Sequence, residues 1–214
     1  MNAFIQFTQL CAGRIGQPLN YSSLANDAGI SPNTAKAWLS ILETSFILYR
    51  LQPYHHNFNK RLIKSAKLYF YDTGVACPLL GIKEQGQINF HYLKGLLFEN
   101  LILNEFIKCR INQGENRRPY YFQDNHGFEI DCILENGNDI TIVEIKSGKT
   151  ISTSYFTNIN HWRKITNTPV EQSYVIYGGD QTVQTQAGAL VSWRDMGRME
   201  EGCTLGAPSN SVKE

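Results

Sequence analysis

The stretch GFEIDCILENGNDITIVEIKSG, residues 127–148, decides the fold. Apolar and polar residues alternate over 128–134, ENGND at 135–139 carries turn chemistry, and alternation resumes over 140–147. That pattern predicts two short strands joined by a turn. Side chains two apart on a strand share a face. Glu129 and Asp131 therefore point one way on the first strand, and Glu144 and Lys146 point one way on the second. Val143 and Ile145 face the opposite side, expected to be core. If the polar faces coincide, Asp131, Glu144 and Lys146 converge beside a buried sheet.

Two carboxylates held that close repel unless a cation lies between them. A hard divalent ion such as Mg²⁺ takes one or two carboxylates together with waters and substrate phosphate. A lysine beside it orients a water or stabilises charge on a phosphate oxygen. An ordinary surface hairpin with a Glu–Lys pair carries the same letters, so the elements around the hairpin have to be read as well.

Residues 90–111 are strongly helical in pattern, with Leu93, Leu96, Leu97, Leu101, Ile102 and Phe106 on the apolar face and Glu99 and Glu105 among or beside them. Burying a carboxylate unpaired is costly. Glu99 is thus expected at the mouth of the site, near Asp131, or else as a solvated flank residue. A strand at 120–123 precedes the hairpin. A helix over 152–166, with Phe156, Ile159 and Trp162 inward, and a strand over 171–177 come after it. A last strand is expected at 189–193.

Further upstream, residues 2–15 show helical spacing that Gly13, Gly16 and Pro18 stop. In NYSSLANDAGIS, Asn20 or Ser22 caps a short helix that Gly29 ends, and Ser31 with Pro32 starts the next, SPNTAKAWLSILETS. Short helix, tight glycine turn and capped second helix make the helix-turn-helix pattern. Two strand-like runs, FILYRL at 46–51 and KLYFY at 67–71, extend it to a winged helix. No acidic residue lies between 44 and 71, while Arg50, Lys60, Arg61, Lys64 and Lys67 are basic. Together with Lys36 on the second helix, Lys60, Arg61, Lys64 and Lys67 are the residues expected on a phosphate backbone. Few base-reading side chains accompany Lys36, so a protein-facing winged helix is the competing expectation. A short helix over 72–80 precedes a polar linker at 81–89. The expected domains are 1–82 and 88–196, with a disordered tail over 197–214.

At 214 residues and 42% apolar content the chain is long enough for one large domain or two small ones. Its net charge of +1 excludes nothing about nucleic acid, since the basic residues are clustered. Five cysteines without CxxC spacing signal neither a disulfide framework nor a zinc site, which together with the absence of a bilayer-length apolar run or a leader points to the cytoplasm and away from membranes.

Asp131, a turn, and Glu144-Ile145-Lys146 resemble the D…(E)xK signature of the PD-(D/E)XK nuclease superfamily, and helix, three strands, helix, strand is similar to its αβββαβ core. No proline precedes Asp131. Taken with residues 21–51, 67–81, GLLFENLI at 95–102, 120–134 and VEIKSG at 143–148, the chain resembles the C-terminal region of a family of prokaryotic AAA+-type ATPases, known as domain of unknown function 4143. The resemblance implies an α/β (α+β) chain, a winged helix-turn-helix followed by a restriction-endonuclease-like domain, with polar positions at Glu99, Glu129, Asp131, Glu144 and Lys146. An ATPase module precedes this region in the family. No GxxxxGK[ST] motif occurs here, so no ATP site is expected in this chain, and an ATPase would act in cis from a longer protein or in trans.

The expected function is metal-dependent hydrolysis of DNA phosphodiesters. Asp131 and Glu144 would hold Mg²⁺ or Mn²⁺ with help from the Ile145 carbonyl, Lys146 would position the attacking water, and Glu99 would tune the metal or base. The alternative is a catalytically silent module that binds DNA or a protein and works with an ATPase. A pure protein-interaction domain is a third reading.

Overall fold

Polar caps and a glycine stop set the first three helices. The computed structural model describes residues 3–54 and 63–198. In it α1 spans Ala3–Ala12, α2 Tyr21–Ala28 and α3 Pro32–Thr44. The Asn20 side chain accepts the Ser23 N–H at 3.0 Å, and Ser31 Oγ accepts the Thr34 N–H at 3.1 Å. Each bond satisfies a donor that a helix start leaves unpaired. Gly29, with φ 65°, ends α2 in the left-handed conformation that costs glycine no Cβ clash. Phe7, Cys11, Leu24, Leu39 and Leu42 of these helices are buried in one apolar cluster with Leu48 and Leu68.

Leu48 and Leu68 belong to the antiparallel pair β1 (Leu48–Pro53) and β2 (Lys67–Phe70). Residues 55–62 between them, Lys60 and Arg61 included, lie outside the described residues, as do residues 199–214 of the tail expected to be disordered over 197–214, whereas Gly197 and Arg198 belong to a 3₁₀ turn, Met196–Arg198. On its other side β1 runs parallel to β3 (Tyr120–Gln123), with Gln52 opposite Tyr120. The strand pair after α3 is thereby the start of one mixed eight-stranded sheet, ordered β2-β1-β3-β4-β5-β6-β8-β7. β3, β4 (Glu129–Asn136) and β5 (Asp139–Lys146) form an antiparallel meander. β6 (Ser173–Tyr177) and β8 (Gly188–Ser192) add in parallel, and β7 (Val183–Thr185), which the sequence pattern does not reveal, pairs antiparallel to β8.

Both faces of this sheet are covered. Val143 and Ile145 of β5 belong to the core that also takes in Leu103 and Phe106 of α6 (Lys94–Asn112) and the first helices. Ile142 packs on the opposite side with Ile159 and Trp162 of α7 (Thr157–Thr166). α4 (Thr73–Leu79), capped by Asp72, and the short α5 (Gln85–Ile88) lead into α6. The 81–89 stretch expected as a linker thus carries α5, and the buried cluster continues across it from Phe7 to Val143.

α6 is also bonded directly to the sheet edge. Asn100 accepts the Phe70 N–H at 2.9 Å and donates to the Phe70 carbonyl at 2.7 Å. Asn104 donates to the Phe70 and Tyr71 carbonyls at 2.9 and 3.1 Å and accepts the Tyr49 hydroxyl at 3.0 Å. These amides occupy the free side of β2 as a neighbouring strand would, and leave its last residue unavailable for edge pairing.

Candidate functional site

The β4–β5 ladder ends at the pair Cys132–Val143. One residue further, the Asp131 carboxylate replaces the ladder: its Oδ2 accepts the Ile145 N–H at 2.8 Å. Lys146, at the end of β5, donates to Glu144 Oε2 at 2.6 Å and to Asp131 Oδ2 at 3.3 Å. Asn158 of α7 reaches Glu144 Oε1 at 3.5 Å. Asp131 and Glu144 are buried, and Lys146 is half-buried and opens the group to solvent. The three residues expected to converge do so, because Glu144 and Lys146 share a strand face and Asp131 bends toward them.

Gly178 fixes the far side of this strand end. Its N–H donates to the Lys146 carbonyl at 3.0 Å and to the Gly148 carbonyl at 3.1 Å. A Cβ there would fall 2.6 Å from the Ser147 carbonyl oxygen.

Burial, reinforced by the neighbouring Asp131 charge, pushes the Glu144 carboxyl up to about 8, although Lys146 and the hydrogen bonds of Lys146 and Asn158 pull the other way. For Lys146 burial opposes the charged form, but the two carboxylates outweigh it and hold the ammonium above its ordinary value. At neutral pH the lysine is charged and Glu144 retains much of its proton.

Glu99 belongs to a second, adjoining group. It accepts a hydrogen bond from the Tyr69 hydroxyl and lies 3.9 Å from the Lys67 ammonium, which pairs with Glu129. Lys67 also sits 4.9 Å from the centroid of the Tyr121 ring. Burial and the Asp131 charge push Glu99 up to about 8 against Lys67 and the Tyr69 bond. Glu99 is therefore near enough to sense Asp131 electrostatically, while its own bonds run to β2.

Lys67 does not face outward as a phosphate contact. Its side chain is 3% exposed, because β2 is covered by α6 and the ammonium turns inward to two carboxylates. Lys36 and Lys64 are exposed, Lys36 with its ammonium 5.5 Å from the Tyr21 ring centroid. Lys60 and Arg61 lie outside the described residues.

Across both groups four carboxylates, Glu99, Glu129, Asp131 and Glu144, face two ammonium groups, Lys67 and Lys146. Protons held on Glu99 and Glu144, both pushed up to about 8, reduce the imbalance near neutral pH. Among the described residues no three His, Cys, Asp or Glu side chains are grouped to hold a metal by themselves. The donors that fit are Asp131 and Glu144, the set that suits an ion keeping most of its waters, as Mg²⁺ does.

Tyr69, Asn158 and Gly178 join the site without having been singled out in the sequence. Tyr69 had one legible signal, its place two residues after Lys67 on the same strand. Asn158 and Gly178 had none, since their partners are chosen by the packing of α7 and β6.

Comparison with known proteins matches residues 94–196 to a family model described as domain of unknown function (DUF4143), and residues 1–86 to another, domain of unknown function (DUF8612). Uncharacterized proteins from Mycobacterium bovis and Mycobacterium tuberculosis are each 27% identical to this chain over 139 residues. The alignment covers 65% of this chain and 31% of each relative, so it accounts for about a third of their length. No solved structure matches the chain significantly. Among the described residues no helix is long and apolar enough to cross a membrane.

Proposed function

We propose that the 94–196 half is a PD-(D/E)XK-like module that hydrolyses nucleic-acid phosphodiesters with a divalent ion at Asp131 and Glu144, and that 1–86 is a winged helix presenting it to DNA beside an ATPase module. The observation that carries this reading is the convergence of two buried carboxylates on one half-exposed lysine, inside a group with more acids than cations.

Bound there, Mg²⁺ or Mn²⁺ would supply Lewis acidity and a more acidic water. The chain's own residues do the rest. Asp131 is held in place by the Ile145 N–H. Lys146, the group most open to solvent, is placed to donate to a phosphate oxygen or to an attacking water. Glu144, holding a proton near neutral pH, would help hold the ion once that proton had passed to solvent. Glu99, tied to Tyr69 and Lys67, sets the field at Asp131.

The test is cleavage of plasmid and branched DNA with Mg²⁺ or Mn²⁺, with a chelator control. Asp131→Asn and Glu144→Gln should abolish it, Lys146→Ala should slow it by about a hundredfold or more, and Glu99→Gln should cost less. Equal cleavage by wild type and Asp131→Asn would sink the reading. A second reading, a silent binding module, is favoured by Lys146 already bonding both acids where a metal would sit. Titration with Mn²⁺ separates the two, since an ion-free site under millimolar Mn²⁺ supports only the silent one.

A further inference from the structure

Away from the carboxylates, a groove of about 350 Å³ opens between β1, the end of α6 and the loop into β3. Arg50, Arg117, Arg118, Asn116 and Tyr120 line it, and no acidic residue does among those described. Arg50 is already committed: Nε and Nη2 hold the Glu43 carboxylate at 2.8 and 2.7 Å, and Nη1 donates to the Tyr21 hydroxyl at 3.0 Å. Arg117 and Arg118 are exposed and form no ion pair among the described residues. The groove therefore presents two guanidinium groups with uncompensated charge.

An aromatic path leads out of it. The Arg118 guanidinium lies 5.6 Å from the Tyr71 ring centroid, and Tyr71 contacts Tyr49 at 4.9 Å and Phe46 at 5.7 Å. Phe46 is 71% exposed and adopts φ 55°, a left-handed backbone that bulky residues avoid. A turn that merely joined α3 to β1 would be better served by Gly or Asn. The chain instead holds a large ring in water, one ring away from an arginine that forms no ion pair among the described residues.

We propose that Phe46, Tyr71, Arg117 and Arg118 form a binding track for single-stranded nucleic acid. A base stacks on the exposed Phe46 ring, phosphates meet the arginines, and Tyr71 bridges the two, the pairing of flat faces with cations that unpaired strands require. A duplex keeps its bases stacked inside and gains little from Phe46. The track rests on nucleic acid being the substrate class of the carboxylate site. Ile107, which lines the groove, comes after Glu99 on α6 by about 12 Å of helix.

Fluorescence anisotropy of the full chain in chelator tests it, using labelled oligothymidylate and a duplex of equal length. Phe46→Asn keeps a residue that tolerates the left-handed backbone and should weaken oligothymidylate at least about fivefold, with duplex affinity held within about twofold. The Arg117→Ala/Arg118→Ala double variant should weaken it further and reduce the salt slope by about 1.4, the value for two phosphates on a single strand. In chelator no cleavage takes place, so failure of the hydrolysis reading shows in the cleavage assay and not here. Unchanged oligothymidylate affinity in both track variants, or no wild-type binding at low salt, overturns the proposal.

Discussion

Asp131 and Ile145 are joined by a side chain where the ladder would use backbone: Asp131 Oδ2 takes the Ile145 N–H at 2.8 Å immediately beyond the Cys132–Val143 pair. The carboxylate thus anchors the strand that carries Glu144 and Lys146. An asparagine can accept the same N–H, while alanine leaves a buried donor unpaired. Asp131→Ala should therefore lose about 1–3 kcal/mol more stability than Asp131→Asn in urea unfolding. Equal stabilities would show that the bond contributes nothing.

Glu144 makes the metal-free protein pH-sensitive in a defined direction. Its folded carboxyl, at about 8, lies above the ordinary 4.5, so the native state holds a proton that the unfolded state has released. The stability associated with that proton is complete below the unfolded value and is lost as pH rises toward 8, at roughly 1.4 kcal/mol per pH unit. Glu99 acts in the same sense. In chelator, thermal melts between pH 5 and 9 should fall for wild type, and less steeply for Glu144→Gln. A parallel decline in the two proteins would remove Glu144 from this account.

A divalent ion at the site has to displace that proton. Calorimetry at pH 7 in buffers of different ionisation enthalpy should report proton release on Mn²⁺ binding, and apparent affinity should rise up to about pH 8. Binding that releases no protons would place the ion elsewhere.

Lys67 is a buried partner of two acids, so its removal should affect folding ahead of DNA binding. Lys67→Met strands Glu129 and Glu99 without their cation and should cost about 3–5 kcal/mol. Lys64→Met, on an exposed side chain, should change stability by no more than about 0.5 kcal/mol. Urea curves of the two variants decide, and a stable Lys67→Met would put the lysine back on the surface.

Asn100 ties α6 to the edge strand through both polar atoms. Asn100→Leu fills similar volume but leaves the Phe70 N–H without its acceptor and that carbonyl with only Asn104. A loss of about 2 kcal/mol or more is expected, with faster amide exchange at Phe70. Unchanged exchange there would mean that water serves the strand equally well.

Sequence alone determined the elements whose causes are local. Asn20, Ser31 and Gly29 set helix ends within a few residues of themselves, and ENGND with its flanking alternation set the β4–β5 hairpin. That hairpin fixes the spacing of Asp131, Glu144 and Lys146, so the core of the candidate site was legible as well. Tertiary structure decided whatever depends on which distant elements meet. Lys67 and Glu129 are 62 positions apart, and no local pattern distinguishes a lysine that will face solvent from one that α6 and β4 will enclose. The same holds for the parallel pairing of β1 with β3, which carries one sheet across the stretch that composition marks as a linker. Hydrophobic periodicity records that a face is buried without naming what buries it, and a charge pattern records no partner until the chain has folded around it.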